Sequence, residues 1–182
     1  MKRLRLNQLI YMALCCDLGM IAKKMIVPVA NLVTDALHIP GGIGTSFSLM
    51  FLVVGAVLTG QFGSGTLMAL IQSGIALAIG TTGSLGILAP IGYVVPGLII
   101  DLTLWLFRRR NASAAIMAAC IAGPLAASLT ANALVFRLHG IVLFLYLSVS
   151  CTTGAICGLV AIPLLARLRP VLNPPVKQKG NV

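Results

Sequence analysis

ASAAIMAACIAGPLAASLTANALVF, residues 112–136, runs for 25 positions without a charged side chain, directly after Arg108-Arg109-Arg110 and Asn111. A helix needs roughly 20 mostly apolar residues to cross the hydrocarbon core of a bilayer. This stretch meets that length, and the three arginines mark the wet end at which it starts. Five further runs read the same way: Leu6–Met25, Ile43–Gly60, Gly63–Gly80, Gly86–Phe107 and Ile141–Ala166. Composition agrees, with 59% hydrophobic and 9% charged residues and no Glu at all. Ordinary soluble domains are about a quarter charged, so a cytosolic enzyme and a DNA-binding domain are both excluded. The net charge of +10 sits in short clusters between apolar runs, which points to a membrane partner rather than nucleic acid.

The expected architecture is therefore an all-α membrane protein. Six transmembrane helices form a single domain over residues 1–168, followed by a flexible tail at 169–182 that carries Pro170, Pro174, Pro175 and Gly180. Between the first two runs, Ile26–Gly42 holds Pro28, Asn31, Asp35, His38 and Pro40-Gly41-Gly42. It reads as a structured outer loop or re-entrant segment. Lys2, Arg3, Arg5, Arg108, Arg109, Arg110, Arg167, Arg169, Lys177 and Lys179 fall on one side, against Lys23, Lys24 and Arg137 on the other. That asymmetry puts both termini in the cytoplasm of a multi-pass cell-membrane protein. The N-terminal run lacks a small residue before Cys15 and an A-x-A-like site before Lys23, so it reads as a retained span.

Close backbone approach is what holds helices together in lipid, and small residues permit it. Ala115, Ala119, Gly123, Ala127 and Ala131 make one such ridge; Ser150, Gly154 and Gly158 make another; Cys15, Gly19 and Ala22 make a third. The five cysteines form no C-x-x-C pair and read as small apolar residues. No sequence motif for a metal centre, nucleophile or phosphate loop occurs. Intramembrane charges are costly and each is a functional candidate. Asp17 and Asp101 read either as satisfied interhelical partners or as contacts that couple the subunit to another protein. Lys23 and Lys24 read as snorkelling side chains, with a ligand-binding role as the alternative. The remaining polar groups (Asn31, Asp35, His38, Ser84, Tyr93, Asn132, Arg137, His139 and Tyr146) gather on the outer face beside Gly- and Pro-rich connections. Such a set suits a binding cavity, with Thr81–Gly86 offering hydroxyl and backbone hydrogen bonds.

His38-Ile39-Pro40-Gly41-Gly42 entering the second run, Leu67–Gln72 in the third and Tyr93–Asp101 in the fourth resemble the S components of energy-coupling-factor (ECF) vitamin transporters. The resemblance covers about residues 8–168 and is strongest to the cobalamin-specific branch. It implies a substrate-binding membrane subunit with no catalytic activity or cofactor of its own. Its partners would be a transmembrane coupling protein and two ABC ATPases. The family's docking ridge on the first helix is A-x-x-x-A; here Ala13 is followed by Asp17, and Cys15, Gly19 and Ala22 are the nearest substitute. The implied ligand is a corrinoid, held under an Asp35–Gly42 lid containing His38, Gly41 and Gly42. Ser84, Tyr93, Asn132, His139 and Tyr146 would contribute to its walls. The alternative cargo within the family is thiamine or its pyrimidine precursor; the absence of Glu, the single Trp and the three Tyr argue against thiamine. In another class, a self-assembling channel or scaffold would use the small-residue ridges between copies.

Overall fold

Each apolar run becomes a helix, and glycine sets where several of them stop. The computed structural model describes residues 6–37, 43–80, 86, 88–107, 111–137 and 139–172. Its helices are α1 (Leu6–Leu37), α2 (Ile43–Thr59), α3 (Ser64–Ile79), α4 (Ala89–Leu106), α5 (Ala112–Ala131) and α6 (Ile141–Leu172), with a π-helical turn at Asn132–Phe136. Among the described residues there is no strand. Ala89–Leu106, Ala112–Phe136 and Ile141–Leu168 are long and apolar enough to cross a membrane, while Gly44–Thr59 and Ser64–Ile79 are shorter apolar helices. The tight α2–α3 turn depends on left-handed backbone at Gly60 (φ 64°) and Gly63 (φ 91°), a region glycine enters without steric cost.

α2 is the hub. It touches α1, α3, α4, α5 and α6, and Leu52, Val53 and Val54 on three successive faces are all buried. Around it, α3 packs on α4, α4 on α5 and α5 on α6, while α1 lies against α2 and α3. The small-residue ridges are spent on these seams. A Cβ at Gly97 of α4 would come 2.7 Å from the Ala69 Cβ of α3, and one at Gly123 of α5 would come 2.9 Å from Ile100 of α4. On α6, a Cβ at Gly154 would lie 2.5 Å from the Cys120 carbonyl of α5. Outside the bundle the polarity is inverted from that of a soluble protein: Met25, Phe144 and Ile141 are 72%, 73% and 79% exposed. Apolar side chains facing outward around a hydrogen-bonded helix are what a bilayer demands, and this surface fits a membrane location.

Three boundaries differ from expectation. Ile26–Leu37 is helical, so α1 does not end at Met25 and most of the expected outer loop is a continuation of the first helix. Pro28 removes one backbone donor, yet membrane helices tolerate proline, and the start of α2 braces the segment. A Cβ at Gly44 would fall 2.5 Å from Val27 Cγ2. α6 likewise runs past Ala166 to Leu172 despite Pro163 and Pro170, so the expected tail at 169–182 begins with four helical residues and the rest lies outside the described residues. The fifth run closes not as α-helix but as the π turn, where the Arg137 N–H donates to Asn132 O at 2.8 Å and Arg137 takes φ 48°.

Candidate functional site

Polar side chains inside an apolar bundle must find partners, and here they do so in layers. Asp101 of α4 is 3% exposed and accepts from Gly65 N (3.0 Å), Thr66 N (2.8 Å) and Thr66 Oγ1 (2.7 Å). These are the first-turn donors of α3, which no intrahelical carbonyl can serve, and a carboxylate there also meets the positive end of the helix dipole. Asp101 is thus the satisfied interhelical partner of the two readings. Midway along the bundle, Gln72 of α3 donates from Nε2 to Cys16 O of α1 at 3.1 Å, and the Cys16 thiol donates to Met68 O at 3.4 Å.

The third layer lies toward the end that the basic residues assign to the outside. Lys23 of α1 donates from Nζ to Tyr93 Oη of α4 at 2.5 Å, and the ammonium sits 4.6 Å from that ring's centroid. Lys23 is half-buried while Lys24 is exposed. Lys23 therefore does not simply snorkel. Neighbouring helix positions point about 100° apart, so two successive lysines could not both have run to the headgroups on one face; that was the signal available in the sequence. Ser46 of α2 bonds Thr153 of α6 at 3.0 Å, and Ser128 of α5 bonds Ser150 of α6 at 2.5 Å.

The expected site residues divide accordingly. Tyr93 is half-buried against Lys23. Tyr146 is 3% exposed and packs edge-on against Phe136, with ring centroids 6.2 Å apart at 74°; it is a seam residue, not an open wall. Asn132 begins the π turn and is half-buried, and His139 is exposed in the following connection. Asp35 belongs to the last turn of α1 rather than to a loop. His38, Gly41, Gly42 and Ser84 lie outside the described residues, and with them most of the expected lid.

The face expected to dock is turned largely inward. Cys15 and Gly19 are buried, and a Cβ at Gly19 would come 2.9 Å from Gln72 Nε2 and 3.2 Å from Ser48 O, so this ridge packs internally. Ala22 beside it is half-buried. The face that α1 leaves open carries Ile10, Ala13, Leu14, Asp17, Leu18 and Ile21 instead. A cavity of about 210 Å³ opens at the opposite end from Lys23, between the α2–α3 turn and the start of α5, lined by Gly60, Gln61, Phe62, Asp101 and Trp105. It is below the roughly 300 Å³ at which small-molecule pockets begin. Among the described residues, no group of three or more His, Cys, Asp or Glu is placed to hold a metal ion, and all five cysteines are free thiols. Comparison of the chain with protein-family models, curated proteins and solved structures finds no match.

Proposed function

We propose that this chain is the substrate-binding subunit of an ECF-type vitamin transporter, crossing the cell membrane six times with both termini in the cytoplasm. The observation that carries the reading is a set of polar pairs, one of three polar layers in the bundle, in the half where α2, α4 and α6 begin. Lys23–Tyr93, Ser46–Thr153 and Ser128–Ser150 are hydrogen-bonded across helices in that half, and polar groups set among apolar walls support a solute site there. The cargo favoured by resemblance is cobalamin or a related corrinoid, with cobalt arriving inside the ligand. ATP hydrolysis belongs in this reading to two partner ATPases, and the coupling protein meets α1 on its open face. There Ala13 and Asp17 stand one turn apart, and Asp17 is an exposed charge on a largely apolar surface. Such a charge favours a protein partner over lipid.

The self-assembling channel or scaffold draws less support, because its small-residue ridges are already filled by neighbouring helices of the same chain. Co-purification from native membranes separates the two. The transporter reading expects a coupling protein and two ATPases with the tagged chain. Recovery of a homo-oligomer alone overturns it.

A further inference from the structure

Lys23 is a cation turned into the bundle, and its compensation is incomplete. Tyr93 supplies a hydroxyl acceptor at 2.5 Å and a ring at 4.6 Å, and neither carries a formal charge to cancel the ammonium. Among the described side chains, no carboxylate reaches it. Asp101 is committed to the first turn of α3. Asp17 is exposed and six residues back, about 9 Å along the axis of α1, while Asp35 stands twelve residues on, about 18 Å away along the same helix. On the side opposite the arginine-rich connections, the basic residues are Lys23, Lys24 and Arg137, against Asp35 as the acid.

Hydrogen-bond capacity points the same way. An ammonium offers three donors and no acceptor, and a phenol that accepts from it keeps its own O–H to donate. The free capacity of the pair is therefore all donor. Its complement is an acceptor, and with the ammonium's charge uncancelled an anionic one, a carboxylate or a phosphate, makes the strong charge-assisted bond.

We propose that Lys23 and Tyr93 form the anion-recognition element of the outer-half site, and that the transported solute carries a phosphate or carboxylate group. The inference rests on the uptake reading, and its test separates failure of the cobalamin assignment from failure of the anion assignment. Lys24, one position on and exposed, is the internal control. The experiment uses the full chain in nanodiscs of neutral phosphatidylcholine, as wild type, Lys23→Gln, Lys24→Gln and Tyr93→Phe, with calorimetry against cobalamin and cobinamide. Cobalamin carries a phosphodiester in its nucleotide loop; cobinamide lacks it.

The expected result is that Lys23→Gln weakens cobalamin by about tenfold or more, as loss of one charge-assisted contact implies, and leaves cobinamide unchanged. Tyr93→Phe has a smaller effect of the same selectivity, and Lys24→Gln has none. Equal weakening of both corrinoids assigns Lys23 to structure and overturns the proposal. If neither corrinoid binds wild type, the cobalamin reading falls separately. Thermal stabilisation by the carboxylates biotin and pantothenate, with neutral riboflavin as the counter-probe, then decides. Lys23-dependent stabilisation by a carboxylate supports the proposal; stabilisation by riboflavin alone, or by none of them, overturns it. Lys23-dependent stabilisation by phosphatidylglycerol with no effect of any soluble anion assigns the lysine to a lipid headgroup and overturns it as well.

Discussion

Asp101 shows how much one side chain can hold in a membrane bundle. Three donors of α3 converge on its carboxylate, and removing the acceptor leaves two backbone N–H groups of the first turn of α3 without their partner. Asp101→Ala is expected to cost about 2–4 kcal/mol, the scale of a buried charge-assisted cluster left unsatisfied. Asp101→Asn keeps the volume and one acceptor oxygen, and should lose about half as much. Thermal unfolding of the purified chain in detergent reads both, and an unchanged midpoint for Asp101→Ala would show that the α3 terminus is held by other means. In sequence, Asp101 is a lone acid near the end of an apolar run, and nothing in its spacing announces Gly65 and Thr66, 36 and 35 residues earlier, as its partners. Lys23 was legible only in part: its doubling with Lys24 signals two environments, but the identity of Tyr93 as its partner needs the α1–α4 geometry.

At the scale of the element, the helices follow from apolar run length, and their seams follow from glycine. Gly154 and Gly74 make a matched pair for testing this. A methyl at Gly154 meets the Cys120 carbonyl at 2.5 Å, while a methyl at Gly74 meets nothing within 4 Å. Gly154→Ala should therefore destabilise by about 1–3 kcal/mol by forcing α5 and α6 apart. Gly74→Ala should stabilise by about 0.5–1 kcal/mol, because alanine loses less backbone freedom in a helix. Equal thermal midpoints for the two variants would remove close packing at Gly154 as a determinant. The same logic applies to Gly19→Leu: its Cβ is aimed at Gln72 and Ser48, so the variant should lower the melting temperature of the isolated subunit before any partner is present. Composition found the six helices, and small-residue spacing found the ridges. Neither reveals which ridge faces which neighbour, because Cys15–Gly19–Ala22 and Ala13–Asp17 both repeat at helical spacing and differ only in rotation about α1. Pro28 misled for a related reason. Local preference ends a helix there, and the contact of Gly44 with Val27 that sustains it is made by another element.

At the scale of the whole molecule, the charge asymmetry remains the strongest topological signal, since ten of the thirteen basic residues fall on the side of the termini and the arginine-rich connection. Reporter fusions check it directly: a fluorescent protein at either terminus should mature in the cytoplasm, and a periplasmic phosphatase fused after His139 should be active. A phosphatase active only at the termini would invert the bundle. The central position of α2 bears on how the chain is made as well as on how it is held. Its Ser46 hydroxyl waits for Thr153, which is 107 residues further along. At synthesis rates of about 5–20 residues per second, roughly 5–20 s separate the two from each other at the ribosome. During that interval the hub helix stands without its α6 wall, and that face is open to lipid or to an insertion factor. The bundle therefore closes around its second helix only after its last one has emerged, and a nascent chain halted after α4 should be a client of membrane quality control rather than a smaller stable domain.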